Sequence, residues 1–153
     1  MRLSANFTLA EFTKSQTATR KGLDNTPGSD HLENAKALFE NVVQKVRDNF
    51  GVTVINSGYR GPALNEAVGG SNKSQHCKGE AVDIECPGTG NYDVAKWISE
   101  NCDFDQLILE FYTPGIPDSG WVHVSYKSEG NRKSILTAMK ENGKTVYKPG
   151  LIQ

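Results

Sequence analysis

The chain has 153 residues and only three histidines. Two of them sit in stretches suited to chemistry, Ser74-Gln75-His76-Cys77-Lys78-Gly79-Glu80-Ala81-Val82-Asp83 and Trp121-Val122-His123-Val124-Ser125. A zinc ion at a catalytic centre takes three nitrogen or oxygen ligands from the protein and keeps one position open. His76, Asp83 and His123 supply two imidazoles and a carboxylate. Gly79, between the first two, lets the chain turn back and bring both side chains to one point. Spacing by itself leaves a plainer reading open, because a histidine in a strand is commonly a satisfied structural residue and short motifs match by chance.

Hydrolysis at such a centre also needs a group that takes a proton from water and returns it to the leaving amine. Glu110 ends the apolar run Leu107-Ile108-Leu109. A symmetric fold of the 112–121 loop sets it opposite His123 on an antiparallel neighbour, where directly opposed side chains share a face. A slip of one residue would turn it away. Asp118 and Asp105 are rival carboxylates, and an exposed surface acid is the plain alternative for Glu110. Arg60 closes Ser57-Gly58-Tyr59-Arg60 and offers a rigid fork for a peptide carboxylate or carbonyl oxygen, or a local pair with Glu66. Ser74 and Ser125 flank the ligands, either as their hydrogen-bonding partners or as strand residues facing water. Cys77 adjoins His76, but successive side chains of an extended chain point to opposite faces, so a buried thiol is expected rather than a fourth ligand. Trp121 walls a groove or joins the core, and His31, at a helix start, is expected in solvent.

The elements that must position these residues follow from periodicity. Thr8-Leu9-Ala10-Glu11 has capping-box spacing and predicts a short helix over 8–14. A long helix starts near Pro27, Ser29 and Asp30, carries Leu32, Ala35, Phe39, Val42, Val43 and Val46 on one face, and stops at Gly51. Residues 52–57 are β-branched and read as a buried strand. A small helix covers 62–68, residues 81–85 are extended, and a helix over 92–100 is capped by Asn91. Strands near 106–111 and 121–126 follow, and Asn142-Gly143 marks a closing hairpin around 133–149. Helices come mostly first and antiparallel strands mostly last, which predicts an α+β fold with a small antiparallel sheet and helices on one side, as one domain over 1–153.

Composition narrows the function. Seventeen basic against 18 acidic residues give a net charge of −1, which argues against a nucleic-acid partner. No apolar run approaches the roughly 20 residues that span a bilayer. Three cysteines cannot all pair within one chain, and a Cys77–Cys86 bridge stays undecided. No Gly-x-Ser-x-Gly elbow points to a serine nucleophile. Met1 to Phe7 carries no apolar signal region, so synthesis in the cytoplasm is expected.

The pattern Ser-x-His-x-x-Gly-x-Ala-x-Asp at 74–83, with Trp-Val-His-Val-Ser at 121–125, resembles the zinc D-alanyl-D-alanine carboxypeptidase family. That family includes phage L-alanyl-D-glutamate endolysins and shares its fold with the Hedgehog signalling domain. Phe7 to Phe12, Leu23 to Pro27, Ser57 to Arg60, Phe104 to Ile108, and the stretch from Asn131-Arg132-Lys133 to Leu151 resemble its short single-domain subgroup. The resemblance implies a Hedgehog/DD-peptidase-like fold, one zinc ion on His76, Asp83 and His123, and Arg60 lining the substrate site. Many members carry an acid three positions before the last histidine. Here that residue is Gly120, and Glu110 stands as the replacement base, with Asp118 and Asp105 as its rivals. The implied substrate is the stem peptide of peptidoglycan. A phage-type lysis endopeptidase is the leading expectation, acting as a monomer on the wall after release through another protein's lesion, or from a virion. The alternatives are a D-alanyl-D-alanine carboxypeptidase and a non-catalytic, zinc-stabilised module that binds wall or virion.

Overall fold

The computed structural model describes residues 1–70 and 74–152. Arg2–Ser4 (β1) and Phe7–Thr8 (β2) pair as a small ladder ahead of Leu9–Thr13 (α1). Thr8 caps α1 as its spacing predicts. Its hydroxyl accepts from the Glu11 N–H, while the Glu11 carboxylate accepts from the Thr8 N–H. Gln16–Lys21 (α2) follows.

The long helix runs from Ser29–Leu38 (α3) through a π segment, Phe39–Val43, into Gln44–Phe50 (α4), and stops at Gly51. Start and stop are those that the caps predict. The π segment is not, because it adds a residue to one turn without disturbing the apolar pattern. Leu38, Phe39, Val42, Val43 and Val46 are fully buried along it. Phe39 meets Phe7 and Phe12 edge-on, with centroids 5.3 Å apart in both pairs.

The main sheet contains Val54–Ser57 (β3), Ala81–Glu85 (β4), Gln106–Glu110 (β5), Trp121–Ser125 (β6), Ser134–Glu141 (β7) and Lys144–Pro149 (β8), in the order β3-β4-β6-β5-β7-β8. Pro62–Ala67 (α5) follows β3, and Asn91–Asn101 (α6) lies between β4 and β5. The fold is α+β and its ladders are antiparallel, with β5 and β7 the one parallel pair among them. Asn142 and Gly143 turn the β7–β8 hairpin with φ of 52° and 78°, the left-handed pair that a tight hairpin turn requires.

Alternation along the central strands separates core from site. Val82 and Ile84, Leu107 and Leu109, and Val122 and Val124 are buried in one cluster with Val42, Val46, Val94 and Ile98 of the helices. Asp83, Ile108, Glu110, Trp121 and His123 alternate with them and face the other way.

Two expectations change. The 52–57 run is not a buried strand: β3 is the sheet edge, and Val52 and Val54 are 62% and 42% exposed. β-branched residues favour a pleated surface whether or not a neighbour covers it. Asn91 does not cap α6, whose cap residue is Gly90. Instead its buried side-chain amide donates to Glu85 Oε1 at 3.1 Å and to the carbonyls of Ser119 at 2.9 Å and Gly120 at 3.1 Å. No helix among the described residues is long and apolar enough to cross a membrane.

Candidate active site

His76 sits on a 3-10 turn, Gln75–Lys78, rather than on extended chain. Ser74 caps the turn, its hydroxyl accepting from the His76 N–H at 3.2 Å. Gly79 ends it with φ +73°, and a Cβ there would collide with the His31 carbonyl, so the turn closes tightly against the start of α3. His76 Nδ1 lies 2.8 Å from the Gly58 carbonyl. A carbonyl only accepts, so Nδ1 carries the proton and Nε2 is left with its lone pair.

Asp83 on β4 and His123 on β6 are direct cross-strand partners. Asp83 Oδ1 is 3.0 Å from His123 Nδ1 and 3.5 Å from His76 Nε2. The imidazole centroids are 5.2 Å apart. Burial pushes the Asp83 carboxyl up, but the hydrogen bonds and charges of His123 and His76 outweigh it and hold it well below the usual carboxylate range.

Three donors at such spacings fit a metal. Ligands bound at 2.0–2.2 Å in a tetrahedron stand about 3.3–3.6 Å from one another. The three donor atoms here all lie within 4.8 Å of one another, and the chemistry of the set, two imidazoles and one carboxylate, suits zinc.

Glu110 lines the same groove, whose volume is about 700 Å3. Its expected partner is corrected: it pairs with Trp121, and Ile108 pairs with His123. The loop closes two residues earlier than a symmetric fold to His123 requires. A slip of two keeps side chains on their face where a slip of one would not. Burial first, then the charge of Asp83, pushes the Glu110 carboxyl above its ordinary value, against the pull of His123, Trp121 and Arg60.

Neither rival carboxylate stands free in that groove. Asp105 is buried and accepts from Arg132 Nε at 3.0 Å and Nη2 at 2.8 Å. Asp118 is exposed and lines a different, smaller hollow beside Cys86 and Asn91. Gly120, three positions before His123, has φ +65°, and a Cβ on it would strike the Glu110 carbonyl.

Arg60 lines the groove without pairing to Glu66. Its Nη2 donates to Ser74 Oγ at 3.5 Å, and its Nε is buried without a partner among the described residues. The Trp121 indole N–H is buried on the side of Glu110, whose carboxylate it favours, and its ring walls the groove against Phe111, 5.5 Å away. A buried guanidinium donor without a partner among the described residues suits an acceptor atom of a ligand.

Other expectations move. Ser125 is fully buried and faces no water; its hydroxyl accepts from the Gln106 N–H, tying β5 to β6. His31 is half-buried, with Nδ1 3.0 Å from the Tyr59 hydroxyl. Cys77 is only half-buried and lines a separate hollow with Pro62 and Glu66, away from the three donors. None of the three cysteines forms a disulfide. Glu80, Lys127, Arg132 and Tyr147 also line the groove. No periodicity singled them out, because they come from a loop, a strand end and a hairpin that only the fold brings together.

No curated protein matches the chain at a significant level. A family model described as Peptidase M15 matches residues 5–125. That span runs from before the capping box of α1 to the end of β6 and takes in Arg60, His76, Asp83, Glu110 and His123. The chain therefore belongs to the peptidase M15 family of zinc metallopeptidases.

Proposed function

We propose that the protein is a zinc peptidase that cuts peptide bonds within the stem peptides of peptidoglycan, as a phage-type lysis endopeptidase. The observation that carries this reading is the convergence in one groove of the His76, Asp83 and His123 donors with a half-buried carboxylate outside any ion pair among the described residues, Glu110. Family membership supports a peptidase acting on peptidoglycan. The endopeptidase choice is supported by the shape around the donors. Lys127 and Tyr147 continue the groove, and Arg60 also lines a neighbouring hollow of about 490 Å3 with Ser57, Tyr59 and Leu64, so a peptide has room on both sides.

His76 Nε2, Asp83 Oδ1 and His123 Nδ1 would hold the metal, which when bound supplies Lewis acidity to the scissile carbonyl and acidifies water. Glu110 then accepts the proton of the attacking water and delivers it to the departing nitrogen. A carboxyl raised by burial suits both halves of that exchange. Arg60 donates to the oxygen on which charge develops, or grips a substrate carboxylate. Gly58 keeps His76 in the tautomer that presents Nε2.

The test is digestion of purified sacculi by zinc-loaded protein, with a chelated control and mass spectrometry of the products. New stem amines that appear only with metal are the expected result. Release of terminal D-alanine alone would replace the endopeptidase by a carboxypeptidase. No cleavage of several wall types at stoichiometric zinc would leave the binding module.

A further inference from the structure

The groove continues past the metal donors to Lys127, Arg132 and Tyr147, all of which follow residue 125, where the family match ends. This end is held rigidly. Arg132 is anchored on Asp105 by three bonds, from Nε, Nη2 and its backbone N–H, at 3.0, 2.8 and 3.1 Å. Its side chain remains 57% exposed over a carboxylate that is 1% exposed, and Nη1 has no partner among the described residues. The Lys127 backbone is pinned on both sides by Asn131, whose Oδ1 accepts from the Lys127 N–H and whose Nδ2 donates to the Lys127 carbonyl, both at 2.8 Å.

Lys127 and Arg132 share this stretch with Asp105 and Glu80, two groups of each sign. Asp105 is matched by Arg132, whereas the Lys127 ammonium pairs with no carboxylate among the described residues. Glu80, the other acid on this stretch, is buried and takes a 3.4 Å bond from Gln75 Nε2. A half-buried lysine on a rigid backbone, beside a guanidinium with a spare N–H, matches an anionic oxygen pair better than a neutral amide.

We propose that Lys127, together with the Asp105-anchored Arg132, forms a subsite for a free carboxylate of the peptide substrate, so that the segment after residue 125 selects stems by their charge. This rests on the peptidase reading for its substrate class. Amidation of a stem carboxylate would then be read by the enzyme as loss of a contact.

Calorimetric titration tests the subsite without requiring turnover. The probes are two pairs of synthetic stem peptides, one pair differing only in whether the D-glutamyl α-carboxylate is free or a carboxamide, the other only in the C-terminal carboxylate. The protein is zinc-loaded and carries Glu110→Gln to suppress cleavage. At least one free carboxylate should bind about tenfold tighter than its amide, the value of one charge-assisted hydrogen bond. Added Lys127→Gln should bring that ratio close to one, Lys127→Arg should restore it, and rising salt should shrink it. Equal affinities within both pairs, no binding of any of the four peptides, or a ratio that survives Lys127→Gln would overturn the proposal. Sacculi left uncut by wild-type protein, with the ratio intact, would instead overturn the peptidase reading and leave the subsite standing.

Discussion

Each donor of the candidate metal cluster is aimed by a different constraint. His76 is turned by the Gly58 carbonyl, Asp83 by its place on a central strand, and His123 by pairing with Asp83 across the ladder. Glu110 differs in forming no ion pair among the described residues, which suits the acid–base role proposed for it. Glu110→Gln should therefore keep zinc at one equivalent by elemental analysis while turnover on sacculi falls by roughly 100- to 10,000-fold, the usual worth of a positioned acid–base group. Asp105 makes the opposite case. Its bonds to Arg132 hold its carboxyl below the usual value. A depressed folded-state value means the stabilisation is present above the unfolded value of about 3.9 and is lost as pH falls through the folded one. The gap in urea midpoint between wild type and Arg132→Gln should accordingly be widest near neutrality and narrow below about pH 4.

At the scale of elements, the site depends on the register of β5 against β6. Glu110 faces the groove because the 111–120 loop closes on Trp121, two residues from the pairing that symmetry suggests, and two is the period of a strand. The loop is held by Gly120 pressed against the end of β5 and by Asn91 gripping the Ser119 and Gly120 carbonyls. That close approach is the physical reason no acid stands at position 120. Gly120→Asp should cost roughly 2 kcal/mol or more, seen as a lowered urea midpoint, and should not rescue Glu110→Gln. Gly120→Ala should show a comparable loss, since the obstacle is the Cβ and the positive φ rather than the charge. A Gly120→Asp protein with wild-type stability would sink this account.

At the scale of the molecule, core and site lie on opposite faces of one sheet. The apolar cluster joins the long helix and α6 to Val82, Ile84, Leu107, Leu109, Val122 and Val124 and includes none of the metal donors. The fold therefore stands without the ion, and the ion adds to it by mass action. At zinc 100-fold above its dissociation constant the gain is about 2.7 kcal/mol. For a chain of this length that is a shift of roughly 5–10 °C in Tm. Chelation should lower Tm by that amount while the far-ultraviolet circular dichroism at 25 °C stays unchanged. Collapse of the spectrum on chelation would mean that the metal holds the fold.

The sequence by itself determined most of the elements and singled out the three residues that meet as a candidate metal site. Capping boxes, a helical apolar face, strand alternation and an Asn-Gly turn are local devices whose physics acts within a few residues, and the histidine motifs carry their own ligand types. It could not set quantities that depend on which surfaces meet. The π segment leaves the apolar pattern intact, and the edge position of β3 depends on where strands pair. The real work of Asn91, and the engagement of Asp105 with Arg132, are contacts between residues 27 or more positions apart. The Glu110 register was open because a ten-residue loop fixes no pairing until Gly120 meets the end of β5. Lys127, Arg132 and Tyr147 join the groove only when the hairpin adds its strands beside β5, since a charge or a ring on a loop has no periodicity to announce which cavity it will line.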